Sequence, residues 1–95
     1  MKIYIAGKIS GLEIEIAKIK FNNACYRISK QGHTPVNPFD SGLPDNAPYE
    51  EHIKADLEMM YECDAVAVLP NWTDSKGAIN EVNEAIKRGM PIIAI

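Results

Sequence analysis

Apolar residues in this chain switch repeatedly between two spacings, and the switches mark out its elements. Lys2–Ala6 (KIYIA) is a short β-rich run that stops at Gly7. From Leu12 to Gln31 the spacing becomes helical: Ile14, Ala17, Phe21, Ala24 and Ile28 recur at steps of three or four, one face of an α-helix. Gly32 follows, in the place of a residue that ends a helix in a left-handed conformation. Thr34–Val36 predicts a weak second strand, closed by Asn37-Pro38. Residues 37–48 contain Pro38, Gly42, Pro44 and Pro48 and predict irregular backbone, because proline donates nothing to a ladder and glycine opens positive φ.

Pro48 suits the first turn of a second helix, which runs to about Glu62 with Tyr49, Ile53, Leu57 and Met60 as its apolar stripe. Ala65–Leu69 (AVAVL) is continuous and apolar, as a strand covered on both faces should be. A loop at Pro70–Asp74 leads to a third helix, about Ser75–Arg88, with Ala78, Val82, Ala85 and Ile86 inward. Gly89 ends it, and Pro91–Ile95 reads as a last strand.

The order β-α-β-α-β-α-β over residues 1–95 predicts one domain. Its class is α/β: a three-layer, doubly wound, flavodoxin- or Rossmann-like fold. Crossover helices imply a parallel sheet with right-handed connections and helices on both faces, and the simplest strand order is 2-1-3-4. Ligands of such sheets bind beyond the carboxyl ends of the strands, where the winding direction switches. Here that point lies between strands 1 and 3. The site is therefore expected at Gly7–Gly11 and Pro70–Gly77 before any motif is considered.

Composition narrows the function classes. Ten Lys plus Arg against thirteen Asp plus Glu leave a net charge of −3, which argues against nucleic acid as the main partner. An apolar fraction of 46% excludes disorder. No apolar run approaches the roughly 20 residues that span a bilayer, so neither a membrane segment nor membrane binding is expected. Met1–Ala6 runs straight into a polar glycine loop rather than a signal sequence, and a cytoplasmic location follows. Cys25 and Cys63 sit within apolar periodic segments and read as buried thiols. There is no CxxC, HExxH or other ligand cluster to suggest a metal. A domain this short buries only about 60–65% of its unfolded surface, so a homodimer is expected.

Four features could carry chemistry. Gly7-Lys8-Ile9-Ser10-Gly11 follows a strand and lets backbone N–H groups approach an anion at a helix N-terminus, though spacing alone favours a plain strand-to-helix turn. It is neither GxGxxG nor a Walker loop. Asp74-Ser75-Lys76-Gly77 supplies an N-cap and also faces the expected cleft. Glu81 lies about two turns into the third helix on the flank of its apolar face; a glutamate there is ordinary by itself, but it points toward the same strand ends. Asp56 is the least ordinary. At about 100° per residue it falls about 20° from Tyr49 and about 40° from Met60, inside the apolar stripe of the second helix. A carboxyl there is costly unless paired or used, so a buried hydrogen bond and a functional role are equally open. Asp64 suits a backbone-fixing role at a helix–strand junction, His33 and His52 read as surface histidines, and Trp72 lies where it could stack on a base or shield the cleft. Two carboxyls at one cleft suit glycosidic chemistry, one attacking or stabilising the anomeric carbon and the other assisting the leaving group.

Three segments, in order and at suitable separations, resemble the nucleoside 2-deoxyribosyltransferase-like superfamily, which includes the deoxyribosyltransferases and the 2′-deoxynucleoside 5′-phosphate N-hydrolases. Ile3-Tyr4-Ile5-Ala6-Gly7-Lys8-Ile9-Ser10-Gly11 is similar to its IYxxGxIxG opening. Asp56-Leu57 followed by Cys63-Asp64-Ala65-Val66 looks like its central stretch, and Ser75 to Glu81 keeps the SxGxxxE spacing of its nucleophile segment. The resemblance covers nearly the whole chain. It implies Glu81 as nucleophile at C1′, Asp56 as the group assisting the departing base or incoming acceptor, and Tyr4 beside sugar and nucleophile. It also implies that Gly7, Ile9, Gly11, Ser75 and Gly77 line the sugar or 5′-phosphate pocket. Two departures stand out: Asn83 replaces a glycine that follows the nucleophile in the family, and Lys8 and Ser10 replace a serine and an arginine of the hydrolases' phosphate loop.

The expected function is thus an N-glycosidase or deoxyribosyltransferase-like enzyme. It would act on a (deoxy)nucleoside or nucleoside 5′-monophosphate, without metal or organic cofactor. The alternatives are a non-catalytic module of the same fold that binds or senses a nucleotide, and an assembly partner with a vestigial pocket.

Overall fold

The computed structural model describes residues 1–95. Four strands and three helices alternate: β1 (Lys2–Ala6), α1 (Ile14–Lys30), β2 (Thr34–Val36), α2 (Tyr49–Tyr61), β3 (Ala65–Val68), α3 (Lys76–Lys87) and β4 (Ile92–Ala94). Short 3-10 turns at Pro38–Ser41 and Trp72–Asp74 interrupt two of the loops. All pairings are parallel and the strand order is β2-β1-β3-β4, as the sequence predicts. Pro35, which cannot donate to a ladder, sits on the edge strand β2 opposite Ile3.

The period-two alternation of β1 and β3 divides the core into two layers. Ile3, Ile5, Ala65 and Ala67 point to one face, where Phe21, Ala24 and Ile28 of α1 cover them. Tyr4, Ala6, Val66 and Val68 point to the other, against Met60 of α2 and Val82 and Ala85 of α3. Each large side chain so buried contributes about 1.5–3 kcal/mol, and the small Ala17, Ala24 and Ala85 let the helices approach the sheet closely.

Several local expectations change. Helix α1 begins two residues later than its apolar spacing suggests, because Glu13 makes no side-chain cap and the Gly11 turn at φ +88° comes first. Gly32, at φ +84°, ends the turn that follows α1. Cys25 and Cys63 are free thiols that are half-buried rather than buried, because each lies at the margin of its core layer. Ile86, expected inward, is 59% exposed, since Val82 and Ala85 already fill the face of α3 that meets the sheet. The larger revision concerns α2. Of its stripe only Met60 is buried among core residues, Ile53 and Leu57 are half-buried, and Tyr49 is 55% exposed. The upper part of the helix faces a cavity instead of the sheet.

No helix is long and apolar enough to cross a membrane.

Candidate active site

Beyond the carboxyl ends of β1 and β3 lies a cavity of about 570 Å³, at the position the topology predicts. Three walls meet there. Gly7, Ile9 and Ser10 come from the loop after β1, Ser75, Gly77 and Glu81 from the start of α3, and Tyr49, His52, Ile53 and Asp56 from one face of α2. The loop of residues 37–48 closes the remaining side with Phe39, Leu43 and Asp45 among others.

Backbone chemistry holds these walls in place. Gly7 has no space for a side chain: a Cβ there would stand 2.5 Å from Leu69 Cδ1. The Lys8 N–H donates to Asn71 Oδ1 at 3.1 Å, tying the loop after β1 to the loop after β3. Ser75 Oγ caps α3 by accepting from the Ala78 N–H at 3.2 Å. In the covering loop, buried Asn37 accepts from the Phe39 N–H at 3.0 Å and donates to Asn22 Oδ1 at 3.3 Å. Lys18 reaches over from α1 to pair with Asp45 at 3.0 Å, its ammonium 5.8 Å from the Phe39 ring centre.

Of the four carboxyls that line the cavity, Asp45 and Asp74 are exposed and Asp56 and Glu81 are buried. Glu81 is 5% exposed and Asp56 9%. Tyr4, fully buried on the central strand, donates its hydroxyl proton to Glu81 Oε2. Burial pushes the Glu81 carboxyl up to about 8; the Tyr4 hydrogen bond opposes this and the charge of Asp56 adds to it. Burial likewise raises Asp56 to about 7, with His52 one turn earlier on α2 pulling the other way. Burial, then the charges of Glu81 and Asp56, hold the Tyr4 phenol well above its ordinary value, so it acts as a proton donor in this contact and stays neutral. No three His, Cys, Asp or Glu side chains converge in an arrangement that could hold a metal ion.

The cavity brings together Glu81, Asp56, Gly7, Ile9, Ser75 and Gly77, with Tyr4 behind Glu81. It leaves out two residues assigned to it from the sequence. Gly11 is exposed and shapes the turn before α1 without lining the cavity. Trp72 is half-buried against the α2–α3 side of the core and is not part of the lining. His52, read from the sequence as a surface residue, lines the cavity, and His33 pairs through Nδ1 with the Met1 amino group at 3.1 Å. Asp64 accepts from the Lys2 N–H at 2.9 Å, the backbone-fixing contact its position suggests. Sequence reasoning also missed Tyr49 and Phe39. The signals were present: Tyr49, His52, Ile53 and Asp56 share one helical face, and Phe39 is a lone aromatic inside a proline- and glycine-rich loop.

Comparison with known proteins agrees with this architecture. No curated protein matches the chain. Among solved structures, a 2-deoxyribosyltransferase from the psychrotolerant bacterium Bacillus psychrosaccharolyticus is 25% identical with a TM-score of 0.75, over 99% of this chain and 71% of its own. The CMP N-glycosidase of Clostridium botulinum is 18% identical with a TM-score of 0.67, over 99% and 70%. A 2-desoxiribosyltransferase from Leishmania mexicana is 19% identical with a TM-score of 0.71, over 99% of this chain and 63% of its own. A family model for a domain of unknown function, DUF4406, matches residues 1–94. With that match and these neighbours, the chain has the nucleoside 2-deoxyribosyltransferase-like fold and belongs to the DUF4406 family.

Proposed function

We propose that this protein cleaves the N-glycosidic bond of a (deoxy)nucleoside or nucleoside 5′-monophosphate through Glu81. One observation carries the reading: a buried glutamate, hydrogen-bonded by Tyr4, shares a cavity with a second carboxyl, Asp56, at the ligand-binding end of the sheet. The similarity to a deoxyribosyltransferase and a CMP N-glycosidase supports the same class of reaction.

In the proposed first step a Glu81 oxygen attacks C1′. The C1′–N bond breaks and its electron pair goes to the base. The Asp56 carboxyl, raised to about 7 and hence partly protonated at neutral pH, gives its proton to the departing base nitrogen. A glycosyl ester on Glu81 results. In the second step water or another base attacks C1′, Asp56 takes up its proton, and Glu81 leaves as the carboxylate. The Tyr4 hydroxyl favours the ionised form of Glu81 and fixes which oxygen stays free to attack. Both roles fall to carboxyls, so the reaction requires neither metal nor organic cofactor. The reading takes residues 1–95 as one catalytic domain working in the cytoplasm as a dimer, and the exposed Ile16, Ile19 and Tyr26, which share a face of α1, are the apolar side chains offered to such a contact.

A second reading draws on the same burial. Glu81, raised to about 8, is mostly protonated at neutral pH in the free protein, which suits a module that binds a nucleoside without cleaving it. One experiment separates the two. Pure protein and Glu81→Ala are incubated with ribo- and deoxyribonucleosides and their 5′-monophosphates, and free base is resolved by chromatography. Base release that disappears in the variant establishes the enzyme. A ligand-induced rise in melting temperature with no base release establishes the binding module. Full activity in Glu81→Ala overturns the mechanism.

A further inference from the structure

The cavity has one feature that the carboxyl chemistry leaves unused. Of the large apolar side chains that stand exposed on this protein, Tyr49 alone lines the cavity. It is the first residue of α2, and its ring leans across to the first turn of α3: a Cβ on Gly77 would stand 3.3 Å from the Tyr49 hydroxyl and 3.5 Å from Ile53 Cδ1. The missing side chain at Gly77 leaves room for the hydroxyl end of that ring. Phe39 lines the cavity from the covering loop, held edge-on against Phe21 with ring centres 5.3 Å apart.

We propose that Tyr49 is the stacking surface for the nucleobase, so that a bound nucleoside lies with its base at the open, aromatic end of the cavity and its sugar toward buried Glu81. The proposal rests on the nucleoside reading above and adds a direction and a specificity residue to it. Burial sets the direction. The carbon that reacts must reach Glu81, which is 5% exposed, whereas Tyr49 is 55% exposed at the rim. The base is the part of a nucleoside that offers a flat π-face, and the tyrosine ring is a rigid amphipathic partner for it. Ile53, one turn further along α2, extends the apolar floor from Tyr49 toward Asp56. The base therefore rests on the same helix face that carries the proton donor for its own departure.

The test compares wild type, Tyr49→Leu and Tyr49→Phe on the nucleosides that wild type cleaves, measuring kcat, KM and melting temperature. Tyr49→Leu is expected to raise KM about tenfold, the size of one base–aromatic stack, and to change kcat much less. Tyr49→Phe keeps the ring face and should stay within about twofold of wild-type KM. Melting temperatures should agree, because the side chain is largely exposed. A KM for Tyr49→Leu equal to wild type, in a protein that cleaves nucleosides, overturns the stacking role and leaves the glycosidase reading standing. A wild-type protein that neither cleaves nor binds any nucleoside overturns both.

Discussion

Tyr4 and Glu81, 77 residues apart in the chain, meet in a buried hydrogen bond that joins the central strand to α3. The phenol belongs to the core layer under α2 and α3, and the carboxylate faces the cavity. Tyr4→Phe keeps the core volume and removes only the donor. We expect kcat/KM to fall about 10- to 100-fold, the worth of a hydrogen bond to a charged group. The pH at which Glu81 ionises should also move upward, which lowers the maximum of the pH–rate profile and shifts its alkaline edge to higher pH. A pH–rate profile for Tyr4→Phe that superimposes on wild type would remove Tyr4 from the mechanism.

The two carboxyls must be in opposite states for the first step, Glu81 ionised and Asp56 protonated. Glu81 is raised to about 8 and Asp56 to about 7, so kcat/KM should follow a bell centred between those values. Because the base lies above the acid, the break at about 7 on the acid side carries the Asp56 value and the break at about 8 on the alkaline side that of Glu81. A rate that is flat from pH 6 to 9 would contradict the assignment.

Asp56→Asn removes the proton donor for the base. Loss should be about 10²- to 10⁴-fold on ordinary nucleosides. It should be much smaller on substrates whose leaving group departs without protonation, and that contrast identifies the acid.

Burial of neutral carboxyls also makes stability depend on pH. A carboxyl whose pKa is higher folded than unfolded stabilises the fold fully below its ordinary carboxylate pKa. That contribution is lost as pH rises toward the folded value, by up to about 1.4 kcal/mol per pH unit and per group. Denaturant melts should therefore show stability falling through pH 5 to 8. Glu81→Gln should flatten the fall and be more stable than wild type at pH 9, while being inactive at every pH.

Gly7→Ala tests the close approach at the end of β1. The added methyl would press on Leu69 at 2.5 Å, and an overpacked core of this kind costs about 1–3 kcal/mol. The same substitution at Gly77 meets Tyr49 and Ile53 at 3.3 and 3.5 Å, so it should cost less stability while shifting the ring at the cavity rim. Melting temperatures of the two variants give the comparison directly.

Strand order and the position of the cavity were legible in the sequence, because both follow from rules of connection rather than from particular contacts. Four strands joined by helices leave few right-handed parallel arrangements, and the winding of the sheet then names the strand ends where a ligand can sit. The helical faces were legible as faces, but not in what opposes them. Asp56 in the apolar stripe of α2 was a true signal of an unusual environment. Yet the periodicity that placed it there also implied that Tyr49 was core, and Tyr49 instead stands at the cavity rim. Trp72 shows the reverse error: a loop residue beside the strand ends folds back onto the core. Loop 37–48, unreadable by periodicity, supplies a whole wall. Its placement depends on contacts such as Asn37 with Asn22 and Lys18 with Asp45, between residues 15 and 27 positions apart.

The hydrogen bond between Tyr4 and Glu81 also constrains how this protein can change by descent. A lineage that replaced the glutamate by an apolar residue would strand a hydroxyl in its core, at a cost of about 1–3 kcal/mol. Relief comes most simply from a second change, tyrosine to phenylalanine. Family members that lack the glutamate should therefore lack the tyrosine hydroxyl too. Such paired losses would date the point at which chemistry, but not the fold, was abandoned.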